Sequence, residues 1–324
     1  MTDTTGNSAL LRRSEIWSTE LKDTIQEDLM GWRWVKQLTD FPDGDQFTIP
    51  SIGDLTTDDY VEDSDIVLRP MDTGEYTFAI DQYVSSGTYI TEKNRQDGYY
   101  MAEVEASFVP KQQRAIERHV EETTLAAGDN LHTANDQVTI NGAHHRFSGG
   151  NSGRIEFADF AAAAFALDKA NVPPQGRVAI VDPSVAYETN ILTNIVGLSN
   201  DNMRWDNIIE DGINSGLTFM KNIYGFDVYL SNYLPVITDS ALPDRAGGNA
   251  VDYSSTTGKA SYFFSAQSDL LPWVGAWRQA PKVDMVWEPK KQRHEFYTTA
   301  RYGVKGRFRD ENMVMVSHIP TISG

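Results

Sequence analysis

Of the 324 residues in the chain, 40% are hydrophobic and 11% aromatic, enough to bury a substantial core and too many for a disordered polymer. Lys and Arg number 28 against 46 Asp and Glu, a formal net charge of -18, and this excess opposes strong or sequence-specific binding to a polyphosphate chain. The lack of cysteine excludes disulfides and thiolate metal sites. No apolar run approaches the ~20 residues of a membrane-spanning helix, and Met1-Thr2-Asp3-Thr4-Thr5 has neither the basic nor the apolar region of a secretory signal.

Residues 12–30 place Trp17, Leu21, Ile25 and Leu29 four apart among charged side chains, which predicts an amphipathic helix ending at Gly31, with Trp32 and Trp34 just beyond. The stripe could be buried within the chain or against another copy. From 41 to 92 the character changes to short β-prone pieces, 46–50, 65–68, 76–80 and 87–90. Pro42-Asp43-Gly44, Gly53-Asp54 and Asp72-Thr73-Gly74 separate them. This pattern predicts a long, bent β-hairpin. With ~20 residues per leg at about 3.3 Å each it reaches ~60 Å, and a two-stranded ribbon of that kind needs a partner surface.

Residues 93–127 carry Met101, Val104 and Phe108, then Ile116, Val120 and Ala127, at helical spacing, a span of about 50 Å. Pro110 falls inside it, so two helical segments with a bend are expected. The alternative is a second helix that starts there under a Ser107 cap, where proline is harmless. A hairpin follows over 137–147, turning at Asn141-Gly142, and Gly149-Gly150-Asn151-Ser152-Gly153 reads as a hinge and domain boundary. Beyond it Phe157, Phe160, Ala164 and Leu167 predict a helix, Asn171-Val172-Pro173-Pro174 a stop, and Val178-Ala179-Ile180-Val181 a buried strand closed by Asp182-Pro183. A further helix is expected over 183–196 and a strand over 217–230 broken at Gly225. Segments 295–309 and 311–319 alternate apolar and polar residues as two paired strands.

Three pieces carry a family resemblance. They are Asn171-Val172-Pro173-Pro174-Gln175-Gly176-Arg177 leading into Val181-Asp182-Pro183, the run Tyr224-Gly225-Phe226-Asp227-Val228-Tyr229-Leu230-Ser231-Asn232-Tyr233-Leu234-Pro235, and Arg301-Tyr302-Gly303-Val304 near the C-terminus. In this order they resemble tailed-phage major capsid proteins of the Hong Kong 97 type. The resemblance implies an α+β fold with an N-terminal arm (1–40), an extended loop (41–92) and a peripheral domain with a long spine helix and hairpin (93–150). An axial domain (151–280) and C-terminal strands returning to the peripheral domain (281–324) complete it. It implies a coat protein forming hexamers and pentamers of an icosahedral shell around double-stranded DNA, assembled in the host cytoplasm and located in the virion. A separate scaffolding protein, a portal and decoration proteins would be its partners, with no membrane and no cofactor. Trp17, Leu21, Ile25, Trp32 and Trp34 would pack the arm, and Pro110 would bend the spine. An encapsulin-type compartment shares the fold and remains open, as does a monomeric metal- or substrate-binding module.

No H-E-x-x-H, P-loop or G-x-S-x-G motif occurs, so no enzyme is expected. His144 and His145 are adjacent and would point to opposite faces of a strand, which disfavours joint chelation. Asp58, Asp59, Glu62, Asp63 and Asp65 could supply oxygens to a hard cation but lack an EF-hand's glycine turn and terminal glutamate. Charge placement says more. Nine acids and no Lys or Arg lie between Asp40 and Asp65, Asp54 among them, whereas 290–309 holds seven basic residues against Glu295 alone. Lys290, Lys291, Arg293, Arg301, Lys305 and Arg307 belong to that basic block. In the capsid architecture the two segments would meet across a subunit boundary; two independently solvated faces is the competing reading, since exposed ion pairs are worth only ~0–1 kcal/mol each.

Overall fold

A computed structural model of the chain describes residues 32–38, 46–52, 57–59, 62–63, 65, 68, 73–98, 101–129, 137–150, 153–185, 219–254, 258–306 and 310–320. The helix expected over 12–30, and with it Trp17, Leu21 and Ile25, lies outside these residues, as do Asp54, Arg307 and most of the helix expected over 183–196.

In chain order the first strands are β1 (Val35–Gln37), β2 (Gln46–Ile52), β3 (Thr73–Ala79) and β4 (Gln82–Thr91), followed by helices α1 (Glu92–Asp97) and α2 (Met101–Ala127). Then come β5 (Thr139–Ile140), β6 (Ala143–His144), β7 (Arg146–Ser148), α3 (Phe157–Lys169) and β8 (Arg177–Val181). The remaining strands are β9 (Phe219–Ile223), β10 (Phe226–Leu230), β11 (Val236–Ile237), β12 (Leu242–Pro243), β13 (Ala250–Val251), β14 (Gly258–Ser265), β15 (Trp273–Glu288), β16 (Arg293–Lys305) and β17 (Met313–His318).

Two sheets organise the molecule. The seven-stranded sheet has the order β7-β17-β14-β8-β10-β9, with β11 added on β14, and the four-stranded sheet the order β1-β15-β16-β4. β8 lies between β14 and β10 with every residue buried, which is why it reads as an unbroken apolar run rather than an alternation. α3 packs on this sheet through Phe160, Ala163 and Leu167, and its Phe160 ring meets Phe263 of β14 edge to face at 5.1 Å. Glu156 and Asp159 form a reciprocal capping box at its start. After α3 the guanidinium of Arg177 donates to Asp168 Oδ1 at 2.6 Å and to the Val172 carbonyl at 2.7 Å, closing the proline turn that delivers β8.

Several expectations need correction. The 93–127 helix breaks at Gly98, whose backbone is extended and whose N–H closes α1 on the Asn94 carbonyl; α2 then runs unbroken through Pro110. The hairpin of the 41–92 segment is β2 paired with β3, from Gln46↔Ala79 to Ile52↔Thr73. β4 is not part of it but pairs with β16, and Asp65 and Leu68 lie in no strand. The strand expected over 217–230 is the β9–β10 hairpin, whose turn residues Tyr224 and Gly225 have φ of 50° and 82°. The two C-terminal strands do not pair with each other: β16 lies between β15 and β4, and β17 between β14 and β7. Alternation marks a strand but carries no record of its neighbour. The 149–153 glycines are not an open hinge either. A Cβ on Gly149 or Gly150 would stand 2.9 or 2.8 Å from the Arg154 carbonyl oxygen, and Gly149 N–H donates to Ser317 at 2.7 Å.

Candidate assembly surfaces

The paired legs of β2 and β3 carry an acidic connection. Of its residues, Asp58, Asp59, Glu62, Asp63 and Asp65 are all exposed, and Leu68 beside them is 90% exposed. Among the described residues no group of three or more His, Asp or Glu is arranged to hold a metal ion. His144 bonds Thr139 Oγ1 through Nδ1 at 3.1 Å, while the ring of His145 is buried against the Ala143 carbonyl.

The basic block of the sequence is not a block in space. Lys290 and Lys291 stand exposed at the β15–β16 turn, where Gln292 takes a φ of 48°. Arg293 is already engaged, bonded to Glu295 and stacked 4.4 Å over the Tyr89 ring. The Tyr297 hydroxyl, which donates to it, and the Arg293 guanidinium hold the Glu295 carboxyl below the usual range. Arg301 lies half-buried on β16 opposite Tyr83. Lys305, twelve residues beyond Arg293 on a strand rising about 3.3 Å per residue, sits ~40 Å away at the root of the β2–β3 hairpin. There its ammonium donates to the Thr77 carbonyl at 2.7 Å and lies 4.5 Å over the Tyr76 ring. Burial raises the Tyr76 hydroxyl well above its ordinary value.

Trp32 and Trp34 pack within the chain and straddle the two sheets. Trp32 lies 4.8 Å from Trp277 and 6.0 Å from Tyr302, on the four-stranded sheet. Trp34 lies 5.7 Å from both Tyr229 and Phe264, on the seven-stranded one. The Arg33 guanidinium covers Trp34 and Tyr229 at 4.8 and 5.5 Å. Sequence reasoning missed the member that fits them together: a Cβ on Gly275 would stand 2.0 Å from the Trp32 ring.

α2 joins the same two bodies. Its first half lies on the four-stranded sheet, where Gln112 donates to the Phe296 carbonyl at 3.1 Å and accepts from Thr298. Its second half is fastened to the seven-stranded sheet: Ser231 donates to buried Glu121 at 2.8 Å, and Tyr262 to the Leu125 carbonyl at 2.8 Å. Just beyond it Arg146 reaches Asp129 at 3.3 Å and buried Asp239 at 2.6 Å. No helix among the described residues is long and apolar enough to cross a membrane.

No protein-family model matches the chain, and no curated protein matches it. Its fold has solved counterparts. The capsid of the cyanophage P-SCSP1u matches with a TM-score of 0.63 at 14% identity, over 93% of this chain and 91% of that one. The capsid of Ralstonia phage GP4 matches at 0.61 and 12%, over 96% of each. The mature capsid of bacteriophage PhiM1 matches at 0.58 and 11%, over 96% of this chain and 93% of that one. With two sheets fastened along one long helix and similarity running nearly end to end, this chain has the α+β fold of phage capsid subunits.

Proposed function

We propose that the chain is the major capsid protein of a tailed phage, of the Hong Kong 97 type, and that copies of it close an icosahedral shell of hexamers and pentamers around double-stranded DNA. The observation that carries this reading is coverage: the capsid structures align over more than nine-tenths of both chains. In this reading α2 is the spine helix, the β2–β3 hairpin the extended loop, and residues 1–40 the arm. Residues 93–150 with the C-terminal strands form the peripheral domain and 151–280 the axial one. The sheets cross that division, since β7 and β17 lie in the seven-stranded sheet with β14, and β15 begins at Trp273 in the four-stranded one.

The chemistry is mechanical rather than catalytic. A two-stranded ribbon is marginal alone, so the extended loop gains stability by lying on another subunit, and its exposed acids steer that docking. Net charge of -18 keeps enclosed DNA from adhering to the wall. A separate scaffolding protein, a portal and decoration proteins complete the assembly in the host cytoplasm. Expression of the full chain with and without its phage's other structural genes, followed by size-exclusion chromatography and electron microscopy, tests the reading. Closed shells or capsomer rings are expected. A strictly monomeric chain under both conditions would overturn it, and closed shells filled with protein cargo and devoid of DNA in infected cells would point to a compartment instead.

A further inference from the structure

β4 is an edge strand that makes no provision against pairing. β16 occupies one side of it, and no strand among the described residues occupies the other. Exposed edges are ordinarily protected by lysine, proline, a bulge or a covering loop. The ten residues of β4, Gln-Tyr-Val-Ser-Ser-Gly-Thr-Tyr-Ile-Thr, contain no charge and no proline, and their pairing with β16 runs from Gln82 to Thr91 without a register shift. Beside this open edge runs a cleft of about 350 Å³ between β4 and α2, lined by Val84, Ser85, Ser86, Ile116, Arg118 and Glu122, among others. Its apolar floor, Val84 and Ile116, continues into the cluster under α2.

The strand is close to a palindrome in side-chain character about Ser86. In an antiparallel self-pair centred there, Ser85 faces Gly87, Val84 faces Thr88, Tyr83 faces Tyr89 and Gln82 faces Ile90. Small residues sit where the two backbones meet, and the tyrosines, both exposed, form cross-strand aromatic pairs at either end. The face rule is also met. Residues opposite each other share a face of the sheet, so a two-fold axis normal to the sheet requires the register to centre on a single residue, and Ser86 satisfies this. α2 packs over β16 and β4, and strands are ~4.8 Å apart. Pairing would therefore set the two α2 helices antiparallel ~10–14 Å apart, wide enough for long side chains to fill the space between them. The cleft carries both signs of charge, with Arg118 and Glu122 only loosely paired at 4.0 Å within the chain, so that each can reach its opposite in the second copy.

We propose that β4 is a homotypic docking edge, on which a second copy of this chain adds antiparallel through its own β4 to make one continuous eight-stranded sheet. The contact is isologous, the form a two-fold requires, and in a shell it would tie neighbouring capsomers. It stands on the edge itself and does not require the shell.

The absence of cysteine makes the test clean. At the centre of such a pair the two Ser86 Cα atoms would stand about 4.5–5.5 Å apart, within disulfide range. The full chain carrying Ser86→Cys, oxidised mildly, should run as a covalent dimer on a non-reducing gel. Tyr224→Cys, on an exposed turn of the other sheet, should give several-fold less. Adding Ser85→Lys, which brings two positive charges together across the axis, should abolish the dimer. If Ser86→Cys does not fold, Tyr83→Cys combined with Tyr89→Cys reports the same register. Imaging the same samples separates the two readings. Particles whose Ser86→Cys chains stay monomeric would overturn edge pairing and leave the shell intact, whereas dimers from a chain that never forms particles would support edge pairing and sink the shell.

Discussion

Gly306 and Gly303 show how a short motif can be visible in a sequence while its reason is not. A Cβ on Gly306 would stand 2.1 Å from the Ala127 carbonyl oxygen at the end of α2, and one on Gly303 2.3 Å from that of Ala79 at the end of β3. The run Arg301-Tyr302-Gly303-Val304 stands out as a pattern, but only the fold reveals that one backbone passes closest to its Gly303 and another to Gly306 just beyond it. Gly306→Ala should cost about 2–3 kcal/mol by overpacking, read as a lowered urea midpoint. Gly87→Ala, whose nearest neighbours lie at 3.7 Å, should stay within about 0.5 kcal/mol of the parent. Equal midpoints for the two variants would mean that the α2 terminus yields freely. His318 makes a second residue-scale case. It is fully buried in β17, with Ser261 at 3.4 Å and the charges of Asp182 and Lys259 acting on it from the neighbouring elements. Burial depresses its pKa from 6.5 to about 4. Below 6.5 the unfolded chain takes up the proton first, so stability falls as pH drops toward about 4 and levels off beneath, a loss of about 3 kcal/mol in all. His318→Gln should flatten that part of the pH–stability curve even if it lowers stability at neutral pH; an unchanged slope would assign the acid limb to other groups.

α2 illustrates what periodicity can and cannot convey at the level of an element. Apolar spacing located the helix and its buried side, Ile116 and Val120, but not its break, which falls at Gly98; α2 continues through Pro110 instead of restarting there. Tertiary fastening explains the difference. Phe108 meets the Phe296 ring edge to face at 5.8 Å before the proline and Gln112 bonds the Phe296 backbone after it, so packing on both sides offsets the ~3 kcal/mol a mid-helix proline costs. Neighbour relations were likewise hidden: β16 alternates and β17 is buried throughout, and the two belong to different sheets. Pro110→Ala restores the missing N–H donor and should stabilise the chain by up to ~3 kcal/mol. If the proline tunes the helix to shell curvature, the same variant should change particle yield or diameter while the subunit remains folded. Particles identical to the parent by electron microscopy would confine Pro110 to a purely local role.

For the whole molecule, the charge asymmetry of the sequence has been redistributed by the fold. Of the basic residues after 289, Arg293 is spent on Glu295 and Tyr89, and Lys305 on the root of its own extended hairpin. Lys290 and Lys291 are left at the exposed tip of the β15–β16 hairpin. The described acids of the connection between β2 and β3, Asp58, Asp59, Glu62, Asp63 and Asp65, are in contrast all exposed. Sequence spacing alone could not separate these cases, because a strand of thirteen residues carries neighbouring charges to opposite ends of a sheet. Among the described residues of the basic block, these two lysines are the pair that the proposed docking of a second copy's acidic loop would use. Lys290→Glu with Lys291→Glu, leaving Arg293 in place, should slow assembly and reduce the yield of particles without altering the circular dichroism or the unfolding midpoint of the subunit. Each exposed pair is worth only ~0–1 kcal/mol, but the loss repeats at every subunit contact, so the effect should be largest at low ionic strength. It should fade as salt rises and the Debye length contracts below ~10 Å. Assembly kinetics followed by light scattering across a salt series give the answer. Parent and variant curves that coincide at the lowest salt would show that the extended loop docks by shape alone, whereas curves that converge only as salt increases would identify the hairpin tip as the site its acids seek.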